Sequence, residues 1–217
     1  MDKIILVDDH SLFREGMKLL IETEGLGEVV AEAENGKAFL ELLEVHKPDL
    51  VIMDLEMPIM RGSEATQKAK EICPDIKILV LTMLNEDANY LEMLNAGAMG
   101  FVLKTAGKNE LERAIKAIIG NESFFSNELL CRLIINQNAK YKQNPERLAS
   151  TDLKLTDNEL EVLRYFCQGL TVTEIAAEIF RTVKTVEARR SNLLKKTNTK
   201  NTINLILYAV KNRLVEI

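Results

Sequence analysis

The sequence predicts two units of different class: an α/β unit on a five-stranded, doubly wound parallel sheet, followed by an all-α unit of four short helices. Three observations carry this. The first 120 residues alternate five short apolar runs with amphipathic helical stretches. After about residue 153 the chain becomes helical, with Thr-led helix starts and no strand pattern. Charge divides the same way. Residues 151–217 hold 11 Lys and Arg against 8 Asp and Glu, a net of +3, whereas residues 1–150 hold 17 against 25, a net of −8.

Taken in order, the strand-like runs are Lys3–Val7, Val29–Ala33, Leu50–Met53, Lys77–Leu81 and Gly100–Leu103. Several are continuously Ile, Val and Leu, as parallel strands covered on both faces require. Between and after them, Ser11–Glu24, Gly36–Glu44, Gly62–Ile72, Ala88–Asn95 and Asn109–Ile119 show helical spacing, with Ser11 as the expected N-cap of the first. Gly120–Ser126 reads as a turn, Leu129–Ile135 as a short helical run and Asn136–Asp152, with Pro145, as a polar tether. The expected boundaries are 1–120, a linker at 121–152, and 153–217. In the tail, Thr156 with Glu159 and Thr171 with Glu174 form capping boxes opening two helices, one ended by Gly169. Thr182 caps a third, Val183–Lys196, and Asn201–Leu214 forms a fourth.

Composition excludes several classes. The chain is 47% hydrophobic and 28% charged, an ordinary globular balance. Its apolar runs are too short for a bilayer. Met-Asp-Lys leads directly into a strand without a signal-peptide pattern, so a cytoplasmic location without membrane attachment is expected. Three scattered cysteines argue against a disulfide framework or zinc site, and two histidines leave little room for imidazole-based chemistry.

In an open α/β sheet, ligands bind beyond the carboxyl ends of the strands. Asp8 and Asp9 follow the first strand, Asp54 the third, Thr82 the fourth and Lys104 the fifth. If the first and third strands are neighbours, three carboxylates converge, and like charges that close require a cation or a proton. An all-oxygen donor set favours a hard ion such as Mg²⁺. Such a site suits phosphoryl transfer, with a lysine neutralising the transferring group and Thr82 donating a hydrogen bond. The nucleophile is then a carboxylate, and Asp54 is the candidate.

Asp8-Asp9-His10, Asp54-Leu-Glu-Met-Pro58, Thr82-Met83 and Gly100-Phe-Val-Leu-Lys104 resemble the receiver domain of bacterial two-component response regulators, a flavodoxin-like fold, over about residues 1–120. The resemblance implies that Asp54 accepts phosphate from a sensor histidine kinase. It implies Mg²⁺ held by Asp8, Asp9, Asp54 and the backbone carbonyl of Glu56, with Lys104 pairing to the phosphoryl group. Thr82 would swing toward the phosphoryl group, and Phe101 would be the aromatic switch that turns inward with it. Thr105 stands where many receivers carry proline. Glu56 and Leu84 match positions flanking the attacking water, and Met83 stands where many receivers have a small residue, a crowding expected to prolong the phosphoaspartate.

Three short helices with tight turns, the third bearing Lys184, Arg189, Arg190, Lys195 and Lys196, fit a helix-turn-helix. Leu155, Leu160, Val162, Leu163, Ile175, Ala176, Ile179, Val183, Val186 and Leu193 are the expected core beneath it. Leu155-Thr156-x-x-Glu159-x-Glu161-Val162-Leu163, Gly169-Leu170-Thr171, Glu174-Ile175-Ala176 and Lys184-Thr185-Val186 are similar to the LuxR/NarL-type output domain. By position the resemblance implies that Glu187, Ala188 and Ser191 face base edges of double-stranded DNA. Lys184, Thr185, Arg190, Lys195 and Lys196 would contact phosphates. Glu187 replaces a common lysine, so cytosine N4 becomes a possible partner. In this family the last helix pairs two output domains, here with Leu205, Ala209, Asn212 and Arg213 as possible contributors, and a homodimer would read half-sites roughly 34 Å apart.

The leading reading is therefore a phosphorylation-controlled transcriptional regulator, not an enzyme acting on an external substrate. A phosphatase of small esters is disfavoured because no partner motif for such chemistry and no Walker loop can be placed. A DNA-binding dimer whose receiver ignores phosphate is the alternative, opposed by the intact Asp8, Asp9, Asp54, Thr82 and Lys104 set.

Overall fold

The computed structural model describes residues 1–83, 90–130, 155–212 and 214–215. Leu84, Arg213, the helical run beyond residue 130 and the Pro145 stretch lie outside the described residues. The chain divides into two compact units, Met1–Phe125 and Ser126–Ile217.

The first unit alternates β1 (Lys3–Val7), α1 (Ser11–Thr23), β2 (Glu28–Ala33), α2 (Gly36–His46), β3 (Leu50–Asp54), α3 (Gly62–Ile72), β4 (Lys77–Thr82), α4 (Tyr90–Ala96), β5 (Gly100–Leu103), α5 (Lys108–Ile119) and β6 (Phe124–Phe125). The sheet order is β2-β1-β3-β4-β5-β6, with every pairing parallel. The five expected strands are present, extended by a sixth. β6 pairs Gly100 with Phe124 and Phe101 with Phe125 inside what reads from sequence as a turn. A two-residue strand is too short to show alternation, so no periodicity signal marks it.

Helices on both faces explain the apolar strands. All five residues of β3 are buried, and Ile4, Leu6, Leu50, Leu79, Ile115 and Ile118 belong to the core on one side. The N-cap of α1 is His10 rather than Ser11, which is the first helical residue, and His10 makes no side-chain capping bond. Asn35 caps α2 through its side chain on the Ala38 N–H, 3.0 Å. The chain passes from β1 outward to β2 and then to β3 on the other side, so the switch point lies between β1 and β3.

In the second unit, 127–130 is helical. Four helices then follow: α6 (Asp157–Cys167), α7 (Val172–Glu178), α8 (Val183–Thr197) and α9 (Thr202–Lys211). Both expected capping boxes form, at Thr156–Glu159 and Thr171–Glu174, and the Thr182 side chain caps α8. Val162, Leu163, Ile175, Ala176, Val186 and Leu193 are buried as expected, joined by Phe166, Ile203 and Ile206. Val183 departs from the expected core and is 42% exposed. Among the described residues no helix is long and apolar enough to cross a membrane.

Candidate functional site

Register places the acidic residues together. Val7 pairs with Met53, so the residues that follow β1 meet the end of β3 at the switch point. Asp8 and Asp54 are buried, while Asp9 is exposed. One ligand atom from each of Asp8, Asp9, His10 and Asp54 lies within 4.8 Å of all the others. Lys104 arrives from the end of β5, its backbone N–H donating to the Thr82 carbonyl at 2.8 Å. Its ammonium bridges Asp8 Oδ2 at 2.6 Å and Asp54 Oδ2 at 2.7 Å. The Asp54 Oδ1 accepts from the Leu55 N–H at 2.7 Å.

Burial pushes the Asp54 carboxyl upward. The bond and charge of Lys104 pull it back, the Asp8 charge adds to the rise, the Leu55 N–H opposes it, and the net direction is up. Burial works against the Lys104 charge, but its bonds to Asp54 and Asp8 outweigh that and hold the ammonium above its ordinary value.

The donor set fits a divalent cation. Three carboxylates face a single ammonium, leaving a surplus of negative charge that a hard, oxygen-seeking ion neutralises. Glu56 is exposed in the loop after β3.

Three residues outside the expected set also shape the pocket. His10 Nδ1 stands 2.8 Å from Asp9 Oδ1 and 3.2 Å from Asp8 Oδ1, and its backbone N–H donates to Asp8 Oδ1 at 2.9 Å. The Phe13 ring lies 4.9 Å from the Lys104 ammonium, a cation–π contact. The Arg14 guanidinium donates to the Asp8 carbonyl and sits 3.6 Å from Glu32 on β2. All three follow the Asp8-Asp9 pair within six residues. That adjacency is the signal that could have found them.

Gly62 supports the pocket from below. A Cβ there would meet the Asp54 carbonyl oxygen at 2.2 Å, while the Gly62 N–H donates to Leu55 at 3.1 Å. Only a residue without a side chain lets α3 begin so close to the end of β3.

Thr82 is buried and its hydroxyl donates to the Met83 carbonyl, 3.0 Å away, rather than toward Asp54. The Tyr90 hydroxyl donates to the same carbonyl at 3.2 Å. Phe101 is inward in this structure, at 1% exposure. It packs edge-on to Tyr90, centroids 6.2 Å apart, and stacks on Phe125 at 6.0 Å. Met83 is half-exposed.

On α8, about 3.6 residues per turn bring Lys184, Glu187, Ala188, Ser191 and Lys195 onto one face, and all five are exposed. Asn192, also exposed, sits at the edge of that face. Thr185 and Arg190 lie to either flank and are half-buried. Lys196 turns away: its ammonium is 2.7 Å from Glu159 Oε2, so the residue expected on a phosphate is engaged inside its own unit. Arg189 likewise lies 3.6 Å from Glu161. Leu205 and Ala209, expected at a pairing face, are fully buried.

Both units have counterparts among known proteins. Residues 4–116 match the response regulator receiver domain, and residues 153–209 match the bacterial regulatory proteins of the luxR family. The chain is 35% identical over 218 residues to the oxygen regulatory protein NreC of Staphylococcus epidermidis, covering 99% of each. It is 33% identical over 214 residues to the response regulator protein VraR of Staphylococcus saprophyticus, again covering 99% of each. Among solved structures, the Salmonella typhimurium RcsB response regulator aligns at TM-score 0.58 and 28% identity, over 95% of this chain and 97% of that one. A structure of the RcsB–DNA complex aligns at 0.57 and 28%, over 97% and 98%. With a receiver carrying a carboxylate–lysine pocket and a LuxR-type helix-turn-helix in one polypeptide, this chain belongs to the two-component response regulators with a LuxR-type DNA-binding output domain.

Proposed function

We propose that Asp54 is the phosphoacceptor. A carboxylate oxygen attacks the phosphorus of a phosphohistidine on a sensor kinase, and the kinase imidazole leaves. The single observation that carries this reading is the Lys104 ammonium held between Asp8 and Asp54, a cation waiting where new phosphoryl charge would develop. Asp8, Asp9, Asp54 and the Glu56 carbonyl would hold Mg²⁺, which when bound neutralises phosphoryl oxygens. Thr82 would exchange its bond to Met83 for one to the phosphoryl group, and Phe101, packed on the Tyr90 whose hydroxyl shares the Met83 carbonyl, would register that exchange.

Residues 1–120 act as the receiver, 121–152 as a tether whose Phe124 and Phe125 rejoin the receiver sheet as β6, and 153–217 as the DNA reader. Lys184, Thr185, Arg190 and Lys195 fit phosphate contacts, and Glu187, Ala188 and Ser191 fit base contacts. A face this modest in charge binds weakly alone at physiological salt, which favours a homodimer on two half-sites. The structure of two RcsB dimers bound to two parallel DNAs supports a DNA-bound dimer here as well. The reading places the protein in the cytoplasm, where it turns over no substrate beyond its own phosphate.

The test is acetyl phosphate with Mg²⁺ and intact-mass detection after rapid quenching. The expected result is one phosphoryl adduct on the wild type, absent from Asp54→Asn and absent with chelator. An unmodified wild type sinks the proposal.

A further inference from the structure

Six of the described helix ends share one device, and one of the six breaks its usual chemistry. At the C-termini of α1, α4 and α6, the residue at positive φ is glycine: Gly25 (φ 63), Gly97 (φ 107) and Gly169 (φ 81). At the ends of α5 and α8 it is asparagine: Asn121 (φ 63) and Asn198 (φ 52). Each closes its helix with the paired backbone bonds of a Schellman motif. The end of α7 has the same bonds, Phe180 N–H to the Ala177 carbonyl at 3.3 Å and Arg181 N–H to Ala176 at 2.9 Å. There the left-handed residue is Phe180, at φ 52. A phenylalanine in that region is strained where glycine is not.

Nothing in the unit compensates for it by burial, because Phe180 is 91% exposed. Among the described residues of the second unit, the exposed large hydrophobics are Phe180 and Val183, at 42%. Both stand at the N-terminal end of α8, the end from which a recognition helix touches base edges. Val183 precedes Lys184, on the exposed reading face. Among the described residues of this unit, exposure of large apolar side chains is thus confined to this end and adjoins the polar face of α8.

In the major groove, the apolar group a side chain can meet is the C5 methyl of thymine. We propose that Phe180 and Val183 form an apolar reading edge that packs on thymine methyl groups, adding sequence preference that the charges of α8 do not supply. The proposal rests on DNA binding by this unit.

The test uses the full chain and the duplex that the wild type enriches from a random double-stranded library, made with thymine or with uracil, which lacks only the methyl. Phe180→Gly relieves the strained φ, so its melting temperature should equal or exceed that of the wild type. Its affinity for the thymine duplex should fall about fivefold to tenfold, the scale of partial burial of an aromatic ring. The slope of affinity against salt should not change, because no phosphate contact is lost. The uracil duplex should weaken the wild type by a similar factor and leave Phe180→Gly unaffected. Val183→Ala should show a smaller loss of the same kind. An unchanged Phe180→Gly affinity, an equal loss on both duplexes, or enriched half-sites without thymine overturns the proposal. A wild type that retains no duplex overturns DNA binding itself, and the proposal with it.

Discussion

The Lys196 ammonium, in the last turn of α8, stands 2.7 Å from Oε2 of Glu159, the third residue of α6. The same oxygen accepts from the Thr156 backbone N–H at 2.8 Å. One buried carboxylate therefore caps the start of α6 and anchors the far end of α8.

Burial opposes the Glu159 charge, but the Lys196 bond, the Thr156 donors and the Lys196 charge prevail and hold the carboxyl below its ordinary value of 4.5. A group lowered in the folded state stabilises fully above its unfolded value, and that contribution is lost as pH falls through the folded one. Glu159→Gln should therefore cost about 1–2 kcal/mol near neutral pH. Its deficit should shrink as the medium is acidified below 4.5. Thermal unfolding followed by helix signal across a pH series reads this out; a deficit that ignores pH refutes it.

Adjacent lysines should separate cleanly. Lys195→Ala should lower the slope of log affinity against log salt by about 1 while melting is unchanged. Lys196→Ala should leave Glu159 short of a partner and lower stability by about 1–2 kcal/mol, discounted for the partial exposure of the lysine. Binding titrations at several salt concentrations, paired with melts, distinguish the two.

Asp54 is raised, so the opposite sign holds. The folded state keeps its proton longer than the unfolded one, and the ionised carboxylate subtracts from stability once pH exceeds its ordinary value of 3.8. Asp54→Asn should stabilise the receiver by about 1 kcal/mol near neutral pH, with the gain vanishing toward strong acid. Saturating Mg²⁺ should raise wild-type melting and move the variant less. A variant less stable than the wild type near neutral pH refutes the assignment.

Gly62→Ala forces a methyl to within 2.2 Å of the Asp54 carbonyl oxygen. Either β3 or the start of α3 must move, at roughly 1–3 kcal/mol, and acetyl phosphate labelling of Asp54 should slow. Retained stability with a retained labelling rate would show that the pocket tolerates the shift.

Met83 is half-exposed just past Thr82, at the end of the strand beside β3, and the expectation is that its side chain slows water reaching a phosphorylated Asp54. Met83→Ala should shorten the phosphoaspartate lifetime severalfold, measured by loss of the mass adduct after donor removal. An unchanged rate removes Met83 from the account.

The sheet was legible because β1, β3 and β4 are unbroken apolar runs that only a doubly covered parallel sheet can bury. The pocket was legible because its residues follow those runs directly. The tail helices were legible from Thr156, Thr171 and Thr182, whose hydroxyls do the capping their positions imply. What escaped depends on tertiary contact. β6 exists only because Gly100 and Phe101 offer it an edge. The pairing of Lys196 with Glu159 spans 37 residues. The exposure of Val183 reflects its place at a helix start, which apolar spacing does not reveal.

β6 holds the polypeptide to the sheet by two rungs only, at Gly100 and Phe101, on the strand that delivers Lys104. Its grip comes from two buried phenyl rings, Phe124 over core aliphatics and Phe125 against Phe101. The departing chain is thus fastened by side chains more than by its backbone, and loosening one ring would unzip the seam while leaving the five longer strands intact.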